Sequence, residues 1–203
     1  MIRYEYNARL FANWAKMTKA GWWKKRSCKE MGIMKIIVAS DIHGSAAWCK
    51  QLVRAIGSEQ PDQVILLGDL LYHGPRNPLP DEYAPAEVAT MLNGLADRIV
   101  AVRGNCDSEV DQMMLDFPCM ADYALVADGI QRLYCTHGHL FTPEQPPRLV
   151  PGTMFLSGHT HVAMNEQRDG LRFVNPGSVA LPKDGTHGFA VYRDGEIELR
   201  SLE

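Results

Sequence analysis

Five short apolar runs in this chain end on the same punctuation, a loop bearing aspartate, asparagine or histidine. Residues 35–39 (KIIVA) run into Asp41-Ile-His43, 63–67 (QVILL) into Gly68-Asp69, and 99–102 (IVAV) into Arg103-Gly-Asn105-Cys106-Asp107. Further on, 130–135 (IQRLYC) leads to His137-Gly-His139, and 154–156 (MFL) to Gly158-His159-Thr-His161. Short apolar runs rich in β-branched and aromatic residues and bounded by turn residues read as buried strands. Each polar cluster then sits at a strand's carboxyl end, the edge of an open α/β sheet at which ligands bind.

Between Met34 and the third run the pattern alternates strand and helix. Trp48, Leu52, Val53 and Ile56 form an apolar stripe after the first run. Val88, Met91, Leu92 and Leu95 form another beyond a proline- and glycine-rich loop at 73–85 (HGPRNPLPDEYAP). A βαβ order predicts parallel strands, since a crossover helix returns the chain to the same end of the sheet. The second half changes character, with the hairpin dipeptides Asp128-Gly129, Asp169-Gly170 and Asp194-Gly195 set between strand-like runs. The whole predicts an α/β fold of two packed mixed β-sheets flanked by α-helices.

Charge divides the chain near Met34. Residues 1–33 carry eight Lys and Arg against two Glu, whereas the remainder carries thirteen against twenty-two Asp and Glu. Trp14, Trp22 and Trp23 beside lysines are open to a basic amphipathic helix. Lys29-Glu30 also admits the purine tract that bacterial ribosomes bind, shortly before Met34. Residues 1–33 are therefore expected to be an N-terminal extension, from a mis-assigned start or disordered, with one folded domain at 34–203. The five cysteines include no C-x-x-C pair and the opening residues do not read as a secretory leader, which predicts reduced thiols and a cytoplasmic protein. No run approaches the ~18 apolar residues of a membrane span.

Five of the seven histidines, with Asp41, Asp69 and Asn105, gather in these loops. Imidazole combined with carboxylate and amide oxygen, without a thiolate pair, suits manganese, iron or zinc; calcium and magnesium sites seldom use imidazole. The donors are too many for one ion and enough for two if a carboxylate bridges. Singly the pieces are weak. Asp41-Ile-His43 serves equally as a helix cap with a surface histidine, Gly68-Asp69 and Gly104-Asn105 as ordinary turns, and Cys106 as a small apolar filler. Their joint occurrence, in order and each at a strand's end, specifies a metal centre.

D-x-H, G-D, G-N-x-D, H-G-H and G-H-x-H in this order resemble the calcineurin-like metallophosphoesterases, from Met34 nearly to the C-terminus. Within that superfamily His73-Gly-Pro-Arg76-Asn77, residues 103–112 (RGNCDSEVDQ) and Asn175-Pro-Gly-Ser178 are similar to the small bacterial YfcE-like phosphodiesterases. The resemblance implies the metallophosphoesterase sandwich and two divalent metal ions, Mn²⁺ first, with Fe, Zn or Ni as alternatives. It also implies hydrolysis of a small-molecule phosphodiester by a hydroxide bridging the two ions. Carried over residue by residue, Asp41, His43, Asp69 and His161 hold one ion; Asp69, Asn105, His137 and His159 hold the other. His139 and Asp107 then orient ligands or water. Arg76, Asn77 and Arg103 meet substrate oxygens, with solvated loop residues an equal reading for Arg76 and Asn77. Cys106 departs from the superfamily's G-N-H-D or G-N-H-E, whose histidine protonates the leaving oxygen. The YfcE-like group shares the cysteine, which leaves protonation of the leaving group and monoester hydrolysis as the weak points.

Two other readings are open to a chain of this pattern. The retromer subunit with this fold is a protein-binding scaffold that has lost ligands, whereas all seven ligand positions are intact here. A nuclease needs basic surface, and the acidic balance of 34–203 opposes a nucleic-acid partner. No membrane partner is expected, and a homo-oligomer stays open.

Overall fold

A computed structural model describes residues 34–203, and the readings made for 1–33 lie outside the described residues. The first sheet is built on β1 (Lys35–Ala39), whose Ile36 to Ala39 are fully buried. It pairs in parallel with β2 (Gln63–Leu66), and β2 with β3 (Ile99–Ala101), as the βαβ pattern requires. The crossover is α1 (Ala46–Glu59), whose first turn is capped by Ser45: the Trp48 N–H donates to its Oγ at 3.3 Å. A second helix, α2 (Pro85–Asn93), starts on a proline, whose missing N–H costs nothing there. A short α3 (Glu109–Met114) and a 3₁₀ turn (Ala96–Arg98) were not anticipated; both are too short to carry a period.

The second sheet contains β4 (Tyr123–Asp128), β5 (Gln131–Thr136), β6 (Met154–Leu156), β7 (Ala163–Arg168) and β8 (Leu171–Pro176), in the order β4-β5-β6-β8-β7. The last hairpin, β9 (Gly188–Arg193) with β10 (Glu196–Ser201), returns to the first sheet, whose order is β10-β9-β1-β2-β3. Both sheets mix parallel and antiparallel pairs. Asp169-Gly170 and Asp194-Gly195 have positive φ at both residues, the backbone of a two-residue hairpin turn.

Alternation along β1 divides the core. Ile37 and Ala39 face the helices and pack with Leu52, Ile56, Val88 and Leu92. Ile36 and Val38 face the other sheet and meet Leu133, Leu156 and Val174. The outer face of the second sheet carries Tyr134, Phe155 and Phe173 under Phe141 and Leu149, and no helical residue among the described ones joins that cluster. The helices thus flank the sandwich on one side. Met34–Glu203 is one compact unit.

Candidate metal centre

The loops that leave the sheets are fastened to one another before any side chain is considered. Asp41 N–H donates to Gly68 O at 3.1 Å and His43 N–H to Asp69 O at 2.9 Å, which ties the loop after β1 to the loop after β2. Asp107, from the loop after β3, accepts from the N–H groups of Asp69 (2.8 Å), Leu70 (2.8 Å) and Gly104 (2.7 Å). Burial pushes its carboxyl up to about 6 against the pull of these donors. Gly104 lies so close to Asp69 that a Cβ would overlap its carboxylate. The Asn175 amide donates to Gly158 O (2.7 Å) and Thr160 Oγ1 (3.0 Å), and the Ser178 hydroxyl to Asp41 O (3.0 Å). These two residues entered the sequence reading only as part of a family motif; they buttress the loops.

Asp41, His43, Asp69, His159 and His161 have φ between 48° and 67°, five of the nine non-glycine residues with positive φ among those described. This left-handed backbone is uncommon for non-glycine residues, Asn, Asp and His being the types most often found in it, and it persists where surrounding bonds over-determine it. Periodicity gives no signal for it. Its effect is to turn these side chains off their strand ends toward one another.

The side chains meet there in three overlapping groups, one of them His43, Asp69 and Cys106. Asp41, His43 and His161 offer atoms within 4.8 Å of one another, as do Asp41, Asp69 and His137. His161 Nε2 lies 3.2 Å from Asp41 Oδ1, and His43 Nε2 lies 3.6 Å from it. Asp69 Oδ1 accepts the Cys106 N–H at 2.8 Å, while its Oδ2 stands 3.4 Å from His137 Nε2 and 3.8 Å from His43 Nε2. His137 Nε2 also approaches Asn105 Oδ1 (3.1 Å) and His159 Nδ1 (3.3 Å).

Three rings are oriented through their other nitrogen: Nδ1–H donates to Tyr72 O from His43 (3.0 Å), to Leu67 O from His137 (2.7 Å) and to Leu181 O from His161 (2.6 Å). The Nε2 atoms therefore project inward and present lone pairs whenever the rings are neutral, the usual arrangement of histidine ligands. Asp41 Oδ1 is buried without a hydrogen-bond donor. Carboxylate oxygens, an amide oxygen and bare imidazole nitrogens thus converge without enough protons to separate them, and this set fits a divalent cation, or two.

The electrostatics agree. Burial alone would raise Asp41, but the His161 and His43 rings hold its carboxyl well below the ordinary range. Asp69 is lowered against burial by His137, and His137 is lifted to about 9 by Asp69 and Asp41 although burial opposes its charge. His139 and His159 are lowered, first by burial and then by His137.

The remaining expected residues fall around this cluster. His139 is beside it, its ring centroid 5.3 Å from that of His137, and its Nδ1 is buried without a partner. Arg76, Asn77 and Cys106 line a cleft of about 810 Å³ together with Asp69, Asn105, His159 and His161. Arg103 donates to Asp122 Oδ1 at 2.7 Å. Lys183 lines the same cleft and was missed, since a lone lysine in a loop carries no sequence signal.

Residues 34–194 match the family model for the calcineurin-like phosphoesterase superfamily domain. The chain is 49% identical over 153 residues to phosphodiesterase YfcE of Escherichia coli K12, which covers 75% of this chain and 83% of that protein. The solved structure of the E. coli YfcE phosphoesterase superposes with a TM-score of 0.78 at 41% identity, over 84% of this chain and all of that one. Vps29 of Chaetomium thermophilum, at 17% identity and a TM-score of 0.55, covers 83% of this chain and 97% of its own and shares the fold alone.

Proposed function

Because the chain belongs to the calcineurin-like phosphoesterase superfamily, we propose that it is a metal-dependent phosphodiesterase with two divalent cations in the cluster around Asp69. The position of Asp69 Oδ2 between His137 Nε2 and His43 Nε2, at 3.4 and 3.8 Å, carries this reading, because one carboxylate oxygen faces both halves of the donor set. Asp41, His43 and His161 would hold one ion with Asp69; Asn105, His137 and His159 would hold the other. When bound, the pair would supply a hydroxide nucleophile near neutral pH and neutralise phosphoryl charge. Mn²⁺ is the first candidate on the family resemblance, and the donor set is compatible with Fe, Zn or Ni as well.

The chain's own residues do the rest. Asp107 fixes the backbone that carries Asp69, the backbone carbonyls of Leu67, Tyr72 and Leu181 fix three ring orientations, and Arg76 and Asn77 line the cleft as donors for substrate oxygens. His139, beside His137 and His159, orients ligands or water. Burial, and then the neighbouring Asp69, push the Cys106 thiol well up, which disfavours its thiolate. Intact ligands favour an enzyme over a scaffold. The folded unit is proposed to begin at Met34, where the matched family region also begins. Cys49, Cys106, Cys119 and Cys135 are free, which supports a reducing compartment such as the cytoplasm. A screen of nitrophenyl diesters and monoesters against Mn²⁺, Fe²⁺, Zn²⁺ and Ni²⁺ tests the assignment. Diester hydrolysis that needs an added metal is the expected result, and hydrolysis undiminished after exhaustive chelation overturns it.

A further inference from the structure

The clefts on the two sides of the His159-Thr160-His161 loop differ in charge. One, of about 810 Å³, opens over Asp69 and Asn105 and carries both Arg76 and Lys183. The other, of about 420 Å³, lies beside His139, is walled by Pro143, Val162 and Met164, and has no Lys or Arg in its lining among the described residues. His159 and Thr160 line both, so the two clefts adjoin at this loop, which carries two of the proposed ligands. The second cleft does contain a carboxylate, Glu144, whose nearest cation is Arg168 at 4.0 Å.

The cations of the first cleft are available. Neither Arg76 nor Lys183 takes part in a salt bridge among the described residues. The Lys183 N–H donates to His161 O at 2.9 Å, so the lysine is anchored to a ligand loop. A phosphodiester carries one charge, which the metal centre already meets; two further cations on one side only are a surplus that a singly charged substrate does not use. The opposite side supplies no such cation from the described residues and offers apolar wall instead.

Resting on the phosphodiesterase reading above, we propose that the preferred substrate is an asymmetric phosphodiester. Its uncharged, apolar arm lies in the cleft of Pro143, Val162 and Met164. Its other arm bears a second anionic group, carboxylate or phosphate, which Arg76 and Lys183 bind.

Phosphinates, with both arms joined to phosphorus through carbon, report binding without hydrolysis. Calorimetry on the Mn²⁺-loaded full chain should find phenyl(2-carboxyethyl)phosphinate bound about tenfold tighter than phenyl(methyl)phosphinate. Lys183→Ala or Arg76→Ala should remove most of that advantage. Phenyl(methyl)phosphinate should in turn bind more tightly than dimethylphosphinate, and Met164→Asp should remove that difference. No gain from the carboxylate, or a gain that survives both alanine changes, overturns the proposal, as does a phenyl advantage untouched by Met164→Asp. Hydrolysis of bis(nitrophenyl) phosphate by the same preparation separates the two levels. If that diester is cleaved and the phosphinates show no such pattern, the asymmetry alone is wrong. If it is not cleaved, the phosphodiesterase reading falls and the proposal with it.

Discussion

His43 Nε2 and His161 Nε2 stand 3.2 Å apart, each ring having already given its Nδ1–H to a backbone carbonyl. Two lone pairs do not rest against each other at that distance without positive charge beside them, and Asp41 Oδ1 adds a third donor 3.2 Å from His161. A proton on one ring or a metal ion satisfies the arrangement.

Chelation should therefore abolish diester hydrolysis, and Mn²⁺ should restore it. Asp69→Asn should be the most damaging single ligand change, costing well over ~10²-fold in kcat, since outer-shell partners of metal ligands alone cost 10–100-fold. Elemental analysis should approach two ions per chain in the parent and less than one in the variant. A variant that keeps both ions removes the bridging role.

The metal-free protein should lose stability as pH rises. His137 is lifted from its ordinary 6.5 to about 9 in the folded state by Asp69 and Asp41 against the cost of burial. Its protonated form thus contributes stability fully below about 6.5, and the contribution is lost as pH climbs through 9. Thermal melts of chelated protein from pH 6 to pH 10 should show a declining Tm, and saturating Mn²⁺ should flatten the decline because a cation replaces the proton. A Tm of the chelated protein that does not fall over this range would contradict the assignment.

Gly104→Ala should disturb the site without touching a ligand. A Cβ there overlaps the Asp69 carboxylate and its N–H, so backbone or carboxylate must move. Overpacking of this kind costs about 1–3 kcal/mol. Denaturant unfolding should show that loss, and metal titration a weakened site, whereas Gly129→Ala, in open space at a hairpin tip, should leave metal binding unchanged.

Cys106 bears on the leaving group. Positioned general acids contribute about 10²–10⁴ in rate. A thiol pushed up by burial is a weak donor, so aryl diesters should exceed alkyl diesters and monoesters. Cys106→Ala should keep aryl diester hydrolysis within about tenfold, roughly 1.4 kcal/mol in the barrier. Cys106→His should raise monoester relative to diester kcat/KM. Loss of diester hydrolysis in the alanine variant with both ions bound would assign the thiol a direct role.

A chain beginning at Met34 should remain soluble and keep the full chain's kcat/KM, because β1 opens at Lys35 and the compact unit at Met34. A large loss of either property would make residues 1–33 part of the fold.

The sequence by itself determined the features that depend on neighbours along the chain. Alternation and turn dipeptides located the strands, a capped apolar stripe located α1, and the crossover order made β1, β2 and β3 parallel. It also brought out the Asp, Asn and His residues that follow the strands, because each cluster lies directly after an apolar run; the assignment of seven of them as metal ligands came from the family resemblance. Other features were decided only in three dimensions. Nothing local says that β9 pairs antiparallel with β1, a contact across roughly 150 residues that exists because both strands bury their side chains between the layers. Nothing local places helices on one face and aromatic rings under a loop on the other. The left-handed φ of five site residues, the grip of Asp107 on three N–H groups and the buttressing by Asn175 and Ser178 are likewise products of packing. A ligand's identity resides in its side chain, whereas its aim is set by backbone that distant loops hold in place.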